Sequence, residues 1–334
     1  MSVHSPSSLN LTYETMLTTT LMKVLNTGAI EDQVYDANPL WDWLRTENRI
    51  KVLDGGERLR IPIMTGKNST AGSYSGYDIL DTTAQDVHTT AFFNWKYYSV
   101  SVSVNGPELR NNGGSKEKVA DIQAVKIESA SNSLTDKLAT DVYLDGTGNS
   151  NKNLTGLAAM IETAPGTVAY ADVPVANTYW QNKVQASVGS GVANLIPSMR
   201  TLFNDCKQGK GASGTGIDYA VTTQAVHEVA ESLIEPRIRY APSPSGQGAD
   251  LGMTENPVYK GAEIVWSDFC PSGTLFALNS NHIMLFVHRD ANFTMAEGGF
   301  MRTQNQDAYI AQILFQGNLT TNNRRKLGKL TGIS

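Results

Sequence analysis

The chain has 334 residues, of which 18% are charged, a formal net charge of −5, and only two cysteines. This length allows one large domain or two connected subdomains with a sizeable core. The negative charge excludes a dedicated nucleic-acid-binding protein, which would neutralise phosphates with clustered cations, and two cysteines exclude a disulfide framework.

The chain start is polar. Met1–Asn10 lacks the basic flank and apolar run of a signal peptide, and no apolar stretch has membrane-spanning length. We therefore expect a protein that stays in the cytoplasm where it is made and has no membrane partner.

The N-terminal segment contains a short amphipathic helix and then an aromatic cluster. Apolar residues recur at helical spacing over Thr12–Asn26, and Gly28 ends the pattern. Trp41 and Trp43 follow within Asn38–Leu44, outside any strong periodic element. Because tryptophans bury large areas and are enriched at interfaces, the cluster packs either on its own subunit or on a neighbour. The sequence leaves both alternatives open.

Alternating residues predict two strands around a long polar segment. Leu59, Ile61 and Ile63 face one side of the first strand, and valine alternates with serine in the second, Tyr98–Val104. We expect these strands to pair. The segment between them, Thr65–Thr90, is too long for a tight turn. A two-stranded arm cannot satisfy its own edges or bury both faces, so we expect it to lie on a neighbouring molecule.

The clearest helical pattern covers Ser115–Leu144, where apolar residues recur every three or four positions. A helix of roughly thirty residues is about 45 Å long, which exceeds the average globular helix. We interpret it as a structural spine. The turn residues of Asp145–Asn153 then end it.

Helix and strand patterns alternate in the next part of the chain. We expect helices at Tyr179–Ser187, Gly191–Lys207 and Thr223–Ile234, and a buried strand at Asp218–Thr222. This alternation predicts an α/β subdomain. The proline- and glycine-rich Pro236–Met253 is typical of a long exposed loop.

The last quarter of the chain predicts a sheet built from distant segments. A strand entered through a glycine lies in Tyr259–Asp268, and strand-like runs follow at Thr274–Leu278 and His282–His288. The chain then reaches the basic stretch Asn322–Leu330, which contains Arg324, Arg325, Lys326 and Lys329. These cations form a solvated chain end, pair with acidic residues of an adjacent subunit, or contact DNA weakly and in a salt-sensitive way.

The sequence contains no motif that predicts a reaction centre. Gly209–Gly216 is rich in glycine, but a strand follows it, whereas a phosphate-binding loop opens a helix. Asp145–Asn153 lacks the central glycine and terminal glutamate of an EF-hand loop. His227-Glu228 has no second histidine four residues on, and a Gly-x-Ser-x-Gly elbow is missing. We expect no enzyme activity, cofactor or metal.

Three segments of the sequence, Gly55–Met64, Ser115–Gly146 and Tyr259–Leu330, resemble the major capsid protein of tailed bacteriophages of the Hong Kong 97 type, whose fold encapsulin shells share. The order of elements carries the resemblance along nearly the whole chain. It implies an α+β fold with an N-terminal arm, an extended β-hairpin loop, a peripheral domain with a long spine helix and an α/β axial domain.

The resemblance also implies a division of the chain. Residues 1–49 would form the N-terminal arm, 50–107 the extended loop, 108–156 the peripheral domain with the spine helix and 157–268 the axial domain, with 269–334 returning through both domains. Because the chain begins almost directly at its arm, we expect a separate scaffolding protein.

The resemblance implies that the protein assembles into hexamers and pentamers, which form an icosahedral shell around double-stranded DNA. The expected location is the virion capsid, after assembly in the host bacterial cytoplasm. The expected partners are further copies of the chain, a scaffolding protein, a portal, and DNA held by weak non-specific contact. Lys67-Asn68 is a candidate for the Lys–Asn crosslink of some relatives. We expect intersubunit contacts at Trp41, Trp43, Arg58, Arg60, Tyr74, Tyr77, Arg324 and Arg325.

Three other functions remain as alternatives. An encapsulin-like nanocompartment would enclose enzymes rather than a genome, and genomic neighbours would distinguish it. A cytoplasmic hydrolase with an unrecognised triad would remain a small oligomer and turn over a substrate. A phage decoration or tail protein fits less well, because it would not explain the long helix and the α/β body.

Overall fold

The structure is a computed structural model that describes residues 38–66, 68–111, 122–175, 177–186, 192–207, 216–234, 256–296 and 299–333. Several predicted features lie outside these residues. They are the Thr12–Asn26 helix, Lys67, the start of the Ser115–Leu144 helix, most of the Gly209–Gly216 loop and the Pro236–Met253 loop.

The described helices and strands form a mixed α+β fold. The helices are α1 Pro39–Thr46, α2 Gly106–Asn111, α3 Ile122–Asp141, α4 Leu157–Met160, α5 Val192–Cys206 and α6 Gln224–Ile234. The strands are β1 Ile50–Leu53, β2 Arg58–Met64, β3 His88–Asn94, β4 Lys96–Asn105, β5 Lys183–Gln185, β6 Tyr219–Thr222, β7 Val258–Tyr259, β8 Ala262–Trp266, β9 Thr274–Leu278, β10 Ile283–Met295, β11 Met301–Arg302, β12 Ala308–Thr321 and β13 Gly328–Thr331.

The chain divides into two compact units. Of the described residues, those within 97–137 and 290–316 belong to the smaller unit, and those within 38–96, 138–289 and 317–333 belong to the larger. Because β10, β12 and α3 cross these boundaries, they have residues in both units. Within the described ranges, no helix combines the length and the apolar character needed to cross a bilayer.

The larger unit contains a six-stranded sheet in the order β5-β13-β9-β6-β8-β7. β6 is parallel to β8 and antiparallel to β9, with Val221 opposite Val265 and Phe276. Every residue of β6 and β9 is buried, as expected for central strands covered on both faces. Helices α5 and α6 supply Leu195, Met199, Leu202, Val226 and Ala230 to the apolar core of this sheet.

The predicted helix at Tyr179–Ser187 is wrong. The structure has a short 3₁₀ turn, Thr178–Trp180, followed by strand β5. β5 pairs in parallel with β13, and the buried Trp180 donates from Nε1 to the Tyr170 carbonyl. Pairing with a strand from the far end of the chain therefore overrides the local helical pattern, as tertiary context commonly does.

The predicted pairing of the two alternating strands is also wrong. β2 pairs with β3 in antiparallel register from Arg58–Asn94 to Met64–His88, and β4 pairs with β12. Strand β3 was not predicted; it begins within the last residues of the predicted polar segment Thr65–Thr90. Elsewhere in the larger unit, β1 pairs in parallel with β10, with Val52 opposite Val287.

The described part of the predicted spine helix is α3, which ends at Asp141, three positions before the predicted end. The chain folds back closely there. Leu157 N donates to the Val142 carbonyl over 2.7 Å, and a Cβ on Gly156 would lie 2.5 Å from the Leu144 oxygen. Only a glycine allows backbone segments to approach so closely.

The smaller unit is held together by one buried ion pair and several ring contacts. Glu108 of α2 accepts from Lys126 of α3 over 2.7 Å, and both side chains are largely buried. Phe315 of β12 contacts the rings of Tyr98 and Phe293 at centroid distances of 6.3 and 5.3 Å. Arg110 pairs with Asp307 over 2.6 Å at the surface.

Candidate assembly surfaces

The base of the β2–β3 hairpin is anchored on its own subunit. Leu59, Ile61 and Ile63 are buried, in the alternation that the sequence predicts. Phe93 contacts Tyr170 edge-on at 5.6 Å, and Phe92 N donates to the Ala171 carbonyl over 2.9 Å. The expectation that the whole arm lies on a neighbour is therefore wrong for its base.

Residues 68–86, called the tip below, follow a different pattern. The tip contains no helix or strand. Its described side-chain hydrogen bonds stay within the tip: the Thr70 and Thr83 backbone donates to Asn68 and Asp81, and Ser69 Oγ donates to Gln85 Oε1. Tyr77 is 105% exposed and Ile79 is 100% exposed. Large apolar side chains that no described residue of their own subunit covers indicate an interaction surface.

Tyr74 and Tyr77 in the tip were predicted as contact residues, whereas Ile79 and Leu80 were not. All four side chains are exposed. The missed signal is an adjacent apolar pair inside an otherwise polar segment, between Asp78 and Asp81. Such a pair has no periodicity, so the rules for helices and strands do not identify it.

Arg58 and Arg60 lie on the outer face of the hairpin. Their guanidinium carbons are 5.2 and 5.8 Å from the centroid of the Phe92 ring. Arg58 also pairs with Asp172 over 2.6 Å and donates to Asn94. Arg60 is exposed and has no ion-pair partner among the residues that the structure describes. Arg58 is therefore fixed within its subunit, whereas Arg60 presents its charge outward.

Trp43 packs on its own subunit. Asn38 caps helix α1 by accepting from Leu40 N, and Leu40 and Leu44 are buried. The Trp43 ring stacks on Tyr219 of β6 with a centroid distance of 4.6 Å. Trp41 is half-buried, and its Nε1 has no hydrogen-bond partner in the described part of the chain. For Trp43, the structure therefore supports the own-subunit alternative.

Replacing Trp43 by alanine is expected to destabilise the subunit by about 2 kcal/mol, less than a fully buried tryptophan because the ring is only half-buried. Chemical denaturation of unassembled subunit measures this change, and Trp43→Phe should recover most of it by keeping a ring on Tyr219. Unchanged stability together with lost assembly would instead place the Trp43 ring at an interface.

The predicted basic cluster near the C-terminus divides into buried and exposed members. Arg324 is 3% exposed, pairs with Glu162 over 3.2 Å and donates from Nε to the Met160 carbonyl over 2.7 Å. Its guanidinium lies 4.5 Å from the Tyr170 ring centroid. The predictions that Arg324 belongs to a solvated chain end or contacts another subunit are therefore wrong, because its guanidinium pairs with Glu162 inside its own subunit. Arg325 is exposed.

Lys329 is buried as well. Its ammonium lies 5.1 Å from the Phe276 ring centroid and donates to the Thr163 hydroxyl over 3.2 Å. Burial lowers the pKa of Lys329 from its usual value. Lys329 is therefore unsuited to DNA contact at the surface.

A cavity of about 480 Å³ adjoins the hairpin base and includes Arg58, Lys96 and Glu162 in its lining. These charges are already engaged. Arg58 pairs with Asp172, Lys96 donates to the Asn151 carbonyl, and Glu162 pairs with Arg324. The described ranges contain no group of three or more His, Cys, Asp or Glu side chains placed to hold a metal ion.

Both cysteines are buried within the larger unit. Burial raises the pKa of the Cys206 thiol to about 12 and that of the Cys270 thiol to about 11. Because the thiolate is the reactive form, both thiols are poor nucleophiles at neutral pH.

No family model and no curated protein matches the sequence. Solved structures do match. The Cyanophage A-1(L) capsid asymmetric unit gives a TM-score of 0.68 at 14% identity, covering 92% of this chain and 96% of that one. The capsid of the native GTA particle gives a TM-score of 0.60 at 9% identity, and the match covers 92% of this chain and 94% of that one. The holo-SrpI encapsulin complex from Synechococcus elongatus gives a TM-score of 0.56 at 8% identity, and the match covers 94% of this chain and 95% of that one.

These similarities define the class of fold. The chain has the α+β fold of viral capsid and encapsulin shell subunits, and it has that fold over more than nine-tenths of its length. The Hong Kong 97-type resemblance seen in the sequence is confirmed at the level of fold.

Proposed function

We propose that the chain is the major capsid protein of a tailed bacteriophage. Copies of it would assemble into hexamers and pentamers of an icosahedral shell that encloses double-stranded DNA. The observation that supports this proposal most directly is the exposed tip: in a subunit with a capsid fold, the side chains of Tyr77 and Ile79 are fully exposed. Burying such side chains on further copies would supply a large part of the association free energy.

The finer domain assignments belong to the same proposal. Helix α3 would serve as the spine of the peripheral domain, and the six-stranded sheet with α5 and α6 would form the axial domain. The β2–β3 hairpin would be the extended loop. Residues 1–49 would act as the N-terminal arm, and 269–334 would return through both domains.

Among the candidate contact residues, Arg60, Tyr74, Tyr77 and Arg325 are exposed and suit an intersubunit role. Trp41, Trp43 and Arg58 would reach a neighbour only with the part of each side chain that remains exposed. A separate scaffolding protein, a portal and weakly held DNA are further proposed partners. The virion capsid is the proposed location, after assembly in the host cytoplasm.

An encapsulin-like nanocompartment is the second candidate, favoured by the TM-score of 0.56 with the SrpI encapsulin complex over 94% of this chain. The two functions differ in what the shell contains. Purified particles that hold double-stranded DNA would support the capsid, and particles that hold a co-expressed enzyme without DNA would support the nanocompartment.

The deciding experiment is sedimentation velocity with negative-stain microscopy on the chain expressed alone and beside its neighbouring genes. Closed shells, or hexameric and pentameric rings, are the expected result, because heterologous contacts around an axis close into rings. A small, stable oligomer under both conditions would contradict a shell function and revive the hydrolase alternative.

A further inference from the structure

Charge is distributed unevenly along the β2–β3 hairpin. The tip contains Asp78, Asp81 and Asp86 and no Lys or Arg. The outer face of the base contains Arg58 and Arg60. Three carboxylates therefore lie in the tip, which Lys67 precedes, and two guanidinium groups lie on the outer face of the base, where Asp172 neutralises Arg58 and Arg60 has no such partner among the described residues.

The apolar residues of the hairpin are divided in the same way. In the tip, Ile79 and Leu80 lie between Asp78 and Asp81. On the base, the exposed Met64 and Pro62 and the half-buried Phe92 accompany Arg60. The exposed apolar area of the tip thus lies beside carboxylates, and that of the base lies beside the Arg60 guanidinium, so the two surfaces are complementary.

The two ends do not satisfy each other within one chain. Among the described residues, none of the three tip carboxylates has an ion-pair partner. Arg60 and Met64 are four positions apart on β2, which corresponds to about 14 Å of strand before the tip begins. That distance exceeds the Debye length of about 8–10 Å in physiological salt. The full exposure of Tyr77 and Ile79 also shows that the tip does not fold back onto its own base.

We propose that the acidic tip of one subunit binds the arginine-bearing base of the hairpin on a second copy of this chain. Arg60 makes the main ionic contact, because Asp172 already engages Arg58. Ile79 and Leu80 cover Met64 and Phe92 of the other copy. The inference rests on the proposed shell function, because it names the partner of the exposed tip.

The geometry of this contact follows from its polarity. A tip that binds a base is a heterologous, head-to-tail interface, since the two surfaces differ. Repetition of a heterologous contact around an axis produces a closed ring rather than a two-fold dimer. The charges also disfavour the two symmetric contacts, because a tip-to-tip contact places carboxylates together and a base-to-base contact places arginines together.

Charge reversal tests the contact. The base variant is Arg60→Glu, the tip variant combines Asp81→Lys with Asp86→Lys, and a third protein carries all three changes. Each reversal alone should raise the subunit concentration needed for assembly by roughly tenfold or more, because repulsion replaces attraction. The combined protein should recover most of the wild-type assembly. Assembly of the wild type should weaken as salt is added.

Two controls separate this contact from other effects. Lys152→Glu reverses an exposed charge outside the hairpin and should change the assembly concentration less than about twofold. Asp81→Asn keeps an acceptor for the Thr83 backbone, so it separates loss of the local turn from loss of charge. Circular dichroism and thermal unfolding should show that every variant remains folded.

The possible outcomes distinguish this inference from the function on which it rests. Wild-type shells or rings with unchanged assembly of the reversed variants would overturn the tip-to-base contact and leave the shell function standing. The tip-to-base contact would also be overturned if the combined variant needed as high a subunit concentration for assembly as the worse of the two single reversals. Wild type that forms no ring or shell, alone or beside its neighbouring genes, would overturn both.

Discussion

Replacement of Arg324 by methionine is expected to lower the free energy of unfolding by about 3–5 kcal/mol, the usual cost of removing one partner of a buried ion pair. The change leaves the Glu162 carboxylate without the guanidinium that it contacts over 3.2 Å. Glu162 Oε2 is already buried without a hydrogen-bond partner among the described residues. The side chain therefore has no second donor there to replace Arg324.

Chemical denaturation at subunit concentrations too low for assembly measures this loss, because assembly would otherwise add to the apparent stability. Arg325→Met is the matched control: it removes the same charge from an adjacent exposed side chain and should cost less than about 0.5 kcal/mol. Arg324→Met combined with Glu162→Leu should recover much of the loss, since no buried charge remains. Equal stabilities of the Arg324 and Arg325 variants would contradict the structural role assigned to Arg324.

Removal of the apolar surface of the tip is expected to abolish assembly without unfolding the subunit. The variant replaces Tyr77, Ile79 and Leu80 by serine, and all three side chains are exposed in the subunit. Because none of them belongs to the core, each change should alter the free energy of unfolding by less than about 0.5 kcal/mol. The free energy of association should fall much more, because every copy in a ring loses the same buried apolar area.

A conservative variant provides the matched control. Tyr77→Phe, Ile79→Val and Leu80→Met keep the apolar area, and this protein should still assemble. Negative-stain microscopy and sedimentation velocity report assembly, and circular dichroism reports folding. Normal shells from the serine variant would refute an interface role for the tip, and an unfolded serine variant would place these side chains in the subunit core.

The boundaries of a deletion follow from the register of the hairpin. The polar segment predicted from the sequence, Thr65–Thr90, includes the first residues of β3, which pair with β2. Deleting all of it would remove part of a paired strand as well as the tip. A short glycine-serine linker in place of residues 68–86 removes the tip while keeping both strands.

Elements with a strong local pattern were predictable from the sequence alone. The run Thr274–Leu278 is strand β9 with the predicted bounds, and Asp218–Thr222 contains β6. The predicted helices Gly191–Lys207 and Thr223–Ile234 contain α5 and α6. A central strand covered on both faces has a continuous apolar run, and an amphipathic helix has apolar residues at the period of the helix, so both patterns can be read from the residues themselves.

Other features depended on residues far away in the chain. β2 has β3 rather than β4 as its partner, and β5 exists as a strand because it pairs with β13. The local sequence of a strand does not name its neighbour, since the backbone donor and acceptor that pair two strands are the same in every residue except proline.

The candidate assembly surfaces were also predictable from the sequence only in part. The sequence by itself determined the α+β class, the resemblance to shell subunits, and a polar excursion that bears exposed tyrosines. Only the tertiary structure decided which charges remain available to a partner: Arg324 is enclosed by Glu162 and Tyr170, whereas Arg60 faces outward. The reason is physical. An arginine has the same charge wherever it lies, and its burial and partners depend on residues that the fold brings together from distant positions.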